Sequence, residues 1–279
     1  MQMQEEKLIR LMRHARKKMH TSMHGLRPSG IRGRFIANKI LLNSIPKAGT
    51  HLLENALESY PLLRNAGYQT INCWESITPA ALRIVSSIRK GAFLNAHLTG
   101  QPELFELIRE LGIKVLFMIR DPRDIVVSYY KYVTAIDRTH PQHDYFVSLP
   151  DDDARLLASI ENMEGQVTIG EVLKRFQPWL EDKSVFVCRF EHLIGPRGRG
   201  DSQQQLAVLR SIADYLEIPV ANSRLQYIAD RTYSSRSSTF RQGKKGGWSD
   251  YFTPKHVEAF KAVAGEELIS YGYESSYDW

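Results

Sequence analysis

Along this chain, short runs of apolar residues alternate with segments in which apolar residues recur at helical spacing. Residues 40–45 and 113–119 are the clearest apolar runs, and their content is typical of strands buried on both faces of a parallel sheet. Residues 50–60 carry Leu and Ala at helical spacing, which predicts a helix directly after the first strand. Each of these strands is therefore expected to run through a short turn into a helix.

The same alternation continues through the rest of the chain. We expect a further strand at residues 184–190 and helices at residues 101–111, 169–181, 203–217 and 255–264. An order of strand then helix indicates a mainly parallel sheet with helices on both faces. The predicted fold class is therefore α/β, formed by a single domain.

The composition fits one domain of enzyme size. With 279 residues, 43% of them hydrophobic, the chain can bury a full core. No stretch approaches the roughly 20 apolar residues that span a bilayer, and the charged N-terminus lacks the apolar region of a secretory signal. Cys73 and Cys188 form neither a disulfide framework nor a metal-site spacing. A cytoplasmic location is expected.

Positive charge is concentrated near the N-terminus. Residues 1–39 hold ten Lys and Arg against two Glu, which gives this segment a charge of +8. Because the whole chain carries +6, residues 40–279 carry −2. We predict a basic arm at residues 1–35 and one domain at residues 36–279. A short basic helix in the arm would suit contact with anionic lipid, nucleic acid or a partner, and a solvated leader explains the same composition. We expect no nucleic-acid ligand and no more than weak peripheral membrane contact.

The first candidate site is the turn after the first strand, where residues 46–50 read Pro-Lys-Ala-Gly-Thr. Backbone N–H groups and the helix dipole favour an anion at a helix start, and Gly49 lets the backbone approach it closely. Lys47 adds a mobile positive charge. The turn is not a nucleoside-triphosphate P-loop, because no glycine precedes Lys47 within it.

A second anion-binding signature follows the strand at residues 113–119. Arg120 stands at the carboxyl end of that strand, where open α/β sheets bind ligands. Pro122 suits the first turn of a helix, and Ser128 lies on that helix. The Arg120 guanidinium and the Ser128 hydroxyl can share one phosphate. Two such loops together predict a nucleotide with two anionic ends.

These segments resemble the nucleotide-binding elements of the cytosolic-type sulfotransferases. Residues 45–53 (IPKAGTHLL) are similar to the 5′-phosphosulfate loop of that family, and residues 119–130 (IRDPRDIVVSYY) to its 3′-phosphate element. Residues 240–253, which include Arg241, resemble its C-terminal Arg-Lys-Gly loop and the segment after it. The resemblance implies a P-loop-like sulfotransferase fold, 3′-phosphoadenosine 5′-phosphosulfate (PAPS) as the sulfuryl donor, and no metal.

The resemblance also implies which residues bind the donor. Residues 233–248 are expected to order over the nucleotide as a lid. The implied ligands are Lys47, Ala48, Gly49, Thr50 and His51 for the 5′ end, and Arg120, Ser128, Arg241, Gln242 and Gly243 for the 3′-phosphate.

His97 occupies the place of the family's general base. Sulfuryl transfer to an alcohol needs a base for the hydroxyl proton, and an imidazole suits neutral pH. Lys47 is expected to stabilise charge on the oxygen that bridges to the departing adenosine 3′,5′-bisphosphate (PAP). Asn95 stands where many members carry a lysine, and Ala48 and Gln242 replace the usual Ser and Lys. Charge neutralisation is therefore expected to depend more on Lys47.

The acceptor follows less directly from the sequence. Aromatic residues and arginines in residues 67–89 and 139–163 suit either a flat alcohol or an acidic saccharide, so a small-molecule or saccharide hydroxyl is expected. Residues 139–153 are polar and interrupted by proline, which predicts a surface loop. His140 and His143 in that loop are a weak candidate for a metal site with Asp144, and we expect no metal there.

Two other functions are open at this point. A nucleotide-dependent kinase would use the same loops with ATP and Mg²⁺, and would need a metal-binding Asp at a strand end, for which Asp121 is the candidate. A nucleotide-binding protein with weak or lost catalysis is the other, because Asn95 removes one charge near the transferred group. The sequence predicts no particular oligomeric state.

Overall fold

The computed structural model describes residues 38–73, 75–163, 167–233 and 244–279. Three predicted features lie outside these residues. They are the basic arm at residues 1–35, the loop positions Arg241, Gln242 and Gly243, and most of the predicted lid.

Six parallel strands form a sheet within the described part of the chain. They are β1 Lys39–Ser44, β2 Arg64–Asn65, β3 Ile71–Cys73, β4 Ala92–Leu98, β5 Ile113–Ile119 and β6 Phe186–Arg189. Their order is β2-β4-β1-β5-β6, with β3 also paired to β4, and each of these pairs is parallel. The predicted mainly parallel sheet is confirmed.

Helices connect the strands and cover the sheet. β1 and β5 lie in its middle and are buried at almost every position, as expected when helices cover both faces. A π-helix, Tyr132–Ile136, and 3-10 turns at Pro196–Gly198 and Gly247–Asp250 complete the elements. The α-helices are α1 Thr50–Ser59, α2 Pro79–Ser86, α3 Pro102–Leu111, α4 Pro122–Lys131, α5 His143–Ser148, α6 Asp152–Glu161, α7 Ile169–Phe176, α8 Pro178–Glu181, α9 Phe190–Leu193, α10 Ser202–Tyr215, α11 Asn222–Thr232 and α12 Pro254–Ser270.

Two predicted segments differ from the observed ones. The helix expected over residues 169–181 ends at Phe176 and starts again at Pro178, because proline lacks an N–H and clashes with a preceding helical turn. The loop expected over residues 139–153 contains α5, and Phe146 on this helix is fully buried. One aromatic side chain therefore ties a mostly polar segment to the core.

The carboxyl ends of β1, β4 and β5 lie side by side. β1 pairs with β4 on one side and with β5 on the other, so the turns after these strands meet at one edge of the sheet. The Asn43 amide fastens this edge, since it donates to the Leu98 carbonyl and accepts from the Leu98 N–H, both at 2.8 Å. Both predicted anion loops and His97 come together at this edge.

Candidate active site

The turn between β1 and α1 is built on left-handed backbone. Lys47 and Gly49 have φ angles of 67° and 104°, a region that side chains disfavour. A Cβ atom on Gly49 would lie 2.6 Å from the Phe190 ring, so only glycine fits beside that ring. Among the described residues no side chain caps the start of α1, as in helix starts that bind anions. Ala48 is fully buried, and its N–H donates to the Ile45 carbonyl at 3.0 Å.

Three side chains link this turn to the end of β4. Thr50 Oγ1 lies 2.7 Å from Ser44 Oγ, which in turn lies 3.1 Å from His97 Nδ1. The same Nδ1 is 2.8 Å from the Ser44 carbonyl oxygen. Because a carbonyl oxygen only accepts, Nδ1 carries the proton in the neutral ring and the lone pair is on Nε2. The end of β1 thereby selects the tautomer that leaves Nε2 available as a base.

The surroundings of His97 keep its ring uncharged. Burial lowers the pKa of His97 to about 4, and the charge of Lys47 lowers it as well, although the hydrogen bond to the Ser44 carbonyl opposes the shift. The neutral ring is the basic form. His97 is therefore uncharged throughout the neutral pH range, with its proton on Nδ1.

The Lys47 ammonium lies against the Tyr132 ring and acts electrostatically on His97. Its Nζ atom is 3.4 Å from the centroid of the Tyr132 ring, well within the range of a cation–π contact. Since the same charge lowers the pKa of His97, Lys47 brings positive charge to the space between the turn and the imidazole.

Arg120 lies at the end of β5 with a side chain that is only 12% exposed. Its guanidinium carbon is 4.3 Å from the Phe190 ring centroid, and its Nη2 donates to the Lys244 carbonyl at 2.9 Å. Its Nε is buried and finds no hydrogen-bond partner among the described residues. A buried donor of a charged group is costly without a partner, so this atom is a candidate contact for an anionic ligand.

Asp124 holds the C-terminal end of the predicted lid against the second anion loop. It accepts from the backbone N–H groups of Gly246 at 3.0 Å and Trp248 at 2.8 Å, and it lies 3.4 Å from Arg120 Nη2. Burial raises the pKa of Asp124, while the charge of Arg120 opposes that shift. Arg120 and Asp124 thus join the loop after β5 to the C-terminal segment.

Comparison with known proteins identifies the family. A family model described as the sulfotransferase domain matches residues 37–272. This chain belongs to the sulfotransferase family. Human sulfotransferase 2A1 is 21% identical to it over 257 residues, which cover 82% of this chain and 84% of the relative. The 3-alpha-hydroxysteroid sulfotransferase of Cavia porcellus is 23% identical over 173 residues, or 57% of each chain.

A solved structure agrees with this assignment. The crystal structure of mouse sulfotransferase SULT7A1 complexed with PAP matches this sulfotransferase with a TM-score of 0.60 and 22% identity, covering 85% of this chain and 89% of that one. The predicted sulfotransferase fold is therefore confirmed. The family match confirms the predicted enzyme class.

The other predicted ligands of the sulfotransferase differ in their exposure. Ser128 and Lys131 are the partly exposed residues of α4, whose other residues are buried. The His51 side chain is 47% exposed, and its Nδ1 pairs with Glu54 Oε2 at 2.8 Å. The His51 side chain is therefore paired with Glu54 on the same helix. A ligand in the turn would contact the backbone of His51 and not its side chain.

Asn95 lies on the same face of β4 as His97, because side chains alternate along a strand. It is 4% exposed, and its Oδ1 has no partner within the part of the chain that the structure describes. A buried neutral amide therefore stands where the resemblance expects a lysine. Local positive charge is supplied by Lys47 instead.

Two residues of the sulfotransferase site, Ser44 and Tyr132, were missed in the sequence analysis. The sequence indicates Ser44 only weakly, since it is the polar last residue of a strand that leads into an anion loop. Nothing in the sequence indicates Tyr132, because the π-helix that places this residue has no sequence pattern. Phe190, the first residue of α9, is 4% exposed and contacts Gly49 and Arg120.

The described residues contain no group of three or more His, Cys, Asp or Glu side chains placed to hold a metal ion. Asp121, the metal-ligand candidate of the kinase alternative, is engaged elsewhere. Its oxygens accept from Arg123 Nε at 3.0 Å and Arg123 Nη2 at 2.8 Å, and one of them caps the start of α4. Within the same residues, none of the helices has the length and apolarity needed to cross a membrane.

Proposed function

We propose that this sulfotransferase transfers the sulfuryl group of PAPS to a hydroxyl of a small-molecule or saccharide acceptor by in-line displacement, with His97 as the base. The observation that carries the proposal is the meeting of two anion sites and a neutral imidazole at one edge of the sheet. PAPS supplies the sulfuryl group. The residues of the chain bind it, orient it and move one proton.

The two anion sites fit the two ends of the donor. Arg120 Nε, which has no hydrogen-bond partner among the described residues, and the partly exposed Ser128 suit the 3′-phosphate. The left-handed turn and the start of α1 suit the 5′ end through the backbone and side chain of Lys47 and the backbone of Gly49, Thr50 and His51. Ala48 belongs to this site by resemblance alone, since its N–H already donates to the Ile45 carbonyl. By resemblance, Arg241, Gln242 and Gly243 complete the 3′-phosphate site.

The proton of the acceptor hydroxyl moves to His97. Nε2 takes this proton as the acceptor oxygen approaches sulfur, and the Ser44 carbonyl stabilises the imidazolium that forms on the other side of the ring. Lys47 supplies positive charge to the bridging oxygen, which keeps the bond electrons when the bond between sulfur and PAP breaks. His97 then returns its proton to water.

Steroid alcohols come first in a search for the acceptor. One relative is named for 3-alpha-hydroxysteroids, and Tyr68 and Tyr145, in the segments predicted to form the acceptor pocket, are 43% and 42% exposed. Exposed aromatic rings suit a flat apolar alcohol. Transfer of ³⁵S from labelled PAPS to steroid alcohols, simple phenols and acidic saccharides tests these three classes in parallel.

Calorimetric titration with PAP tests the donor site without an acceptor. ADP and ATP, each with and without Mg²⁺, are the control ligands. We expect metal-independent binding that requires the 3′-phosphate and weakens about tenfold or more in Arg120→Ala. The matched control is Arg109→Ala, which removes a guanidinium that is 63% exposed on α3 and should leave the affinity unchanged. Preference for ATP with Mg²⁺ would overturn the proposal in favour of phosphoryl transfer.

The proposed enzyme consists of a basic arm at residues 1–35 and a sulfotransferase domain at residues 36–279. Cys73 and Cys188 are both free thiols, which suits a reducing compartment such as the cytoplasm. A comparison of PAP affinity between the full chain and a chain that starts at residue 36 tests whether the donor site needs the arm. We expect equal affinities.

A further inference from the structure

The ammonium group of Lys47 is held by a ring that none of the nucleotide-binding motifs accounts for. Its Nζ lies 3.4 Å from the Tyr132 ring centroid, whereas cation–π contacts extend to about 6 Å, so this contact is close. Tyr132 begins the π-helix that directly continues α4, the helix that carries Ser128. π-Helices are rare and frequently occur at functional sites.

Asp137 fixes Tyr132 through both its backbone and its side chain. The Asp137 N–H donates to the Tyr132 carbonyl at 2.9 Å, and the Tyr132 hydroxyl donates to Asp137 Oδ2 at 3.0 Å. Asp137 Oδ1 accepts from the N–H and the hydroxyl of Thr139 at 3.1 and 2.8 Å. Burial opposes ionisation of Asp137, yet the hydrogen bonds from Thr139 and Tyr132 lower its pKa below its ordinary value. The ring is thus anchored by an ionised carboxylate, which polarises the phenol and favours a cation at the ring face.

A held lysine is better prepared to bind an anion than a free one. A lysine side chain has large rotamer freedom, which it loses when it binds a ligand. A ring that already holds the ammonium removes part of this loss, because binding groups that are ordered in advance increase affinity.

We propose that Tyr132 is a positioning residue for Lys47. Its ring, anchored by Asp137, places the ammonium in advance for the 5′ end of the donor. This inference rests on the proposed function, since it concerns the same donor site. It predicts that the ring of Tyr132, more than its hydroxyl, contributes to the affinity for nucleotides that carry a 5′-anion.

NMR spectroscopy of the full-length protein tests the contact itself. Reductive methylation with ¹³C-formaldehyde labels the lysines, a methylated ammonium above a ring face is shifted upfield, and Lys47→Arg assigns the signal by its loss. We expect an upfield Lys47 signal in the wild type and in Tyr132→Phe, and an ordinary position in Tyr132→Leu. An unshifted Lys47 signal in the wild type would overturn the inference.

Calorimetry tests the consequence for binding, with PAP and adenosine 3′-phosphate as probes. We expect Tyr132→Leu to weaken PAP binding about 3- to 10-fold, and Tyr132→Phe to weaken it less. Neither variant should change the affinity for adenosine 3′-phosphate, which lacks the 5′-phosphate. In a Lys47→Ala background, Tyr132→Leu should have no further effect on PAP binding.

Two calorimetric results would overturn the positioning role. Equal losses with both nucleotides, or in both backgrounds, would show that Tyr132 only supports the fold. Tighter PAP binding by Tyr132→Leu would show that the ring competes with the nucleotide. A wild-type protein that binds no PAP would overturn the donor site together with this role, and the NMR signal would then still show whether the contact exists.

Discussion

A buried imidazole close to a lysine titrates below its ordinary range, and His97 is such a ring. Its pKa is lowered to about 4, from an ordinary value of about 6.5. As the pH falls through the lowered value, Nε2 takes up a proton and the base is lost. We therefore expect kcat/KM with PAPS to decline only well below pH 6.5. A pH–rate profile checks this, with circular dichroism at each pH as the control for unfolding, and an acid limb centred near pH 6.5 would contradict it.

His97 also allows a clean separation of chemistry from binding. A positioned base typically contributes about 10²–10⁴-fold, so His97→Ala should lose turnover of that order while PAP affinity stays close to that of the wild type. Steady-state kinetics and calorimetry on the same preparation measure both quantities. His51→Ala is the matched control, because that side chain is 47% exposed and pairs with Glu54 on α1. If His97→Ala kept its kcat, another group would have to be the base.

At the scale of elements, the turn between β1 and α1 depends on a single glycine. Gly49→Ala places a methyl group 2.6 Å from the Phe190 ring at a φ of 104°. We expect the free energy of unfolding to fall by about 1–3 kcal/mol and PAP affinity to fall as well. Urea denaturation and calorimetry measure the two losses.

Gly67→Ala separates backbone strain from collision in this experiment. Gly67 has a φ of 83°, but an added Cβ would meet nothing within 4 Å, so this variant carries the strain alone. Gly49→Ala should destabilise the protein more than Gly67→Ala, and Phe190→Leu should restore part of the loss in the Gly49→Ala background. Equal destabilisation by the two glycine variants would mean that the Phe190 ring does not constrain the turn.

The elements that the sequence predicted best are those with a strong local signal. The strand at Ile113–Ile119 has the bounds expected from its apolar run, and β1 differs by one residue at each end. Local signals failed where tertiary contacts decide the structure. The polar segment around α5 is ordered by the burial of Phe146, and the π-helix at Tyr132–Ile136 is closed by bonds to Asp137.

The candidate site shows the same division between local signals and tertiary contacts. The two loop motifs, together with the family resemblance for His97, were enough to place Lys47, Arg120 and His97 at one edge of the sheet. The tautomer of His97 and the position of the Lys47 ammonium depend on Ser44 and Tyr132, whose contacts exist only in the folded chain. Such contacts leave no pattern in a single sequence.

At the scale of the whole domain, Arg123 joins the loop after β5 to the C-terminal segment. Its side chain is 5% exposed and bonds to Asp121 and, through Nη1, to Glu274 Oε1 at 2.7 Å. Its guanidinium carbon also lies 4.0 Å from the Trp248 ring centroid and 4.6 Å from that of Trp279. Because Trp248 donates to Asp124, this cluster supports the segment that borders Arg120.

Arg123→Met removes the charge and leaves two carboxylates without their cation. Breaking a buried ion pair by removing one partner costs about 3–5 kcal/mol, so we expect the free energy of unfolding to fall by that order. Glu274→Gln should cost less, because Glu274 is 27% exposed and Arg123 keeps its bonds to Asp121. Urea denaturation measures both losses, with Arg109→Met as the surface control that should change stability by no more than about 0.5 kcal/mol. Since Trp248 packs on Arg123, PAP affinity should also fall in Arg123→Met. If Arg123→Met lost no more unfolding free energy than Arg109→Met, the C-terminal segment would be held by other contacts.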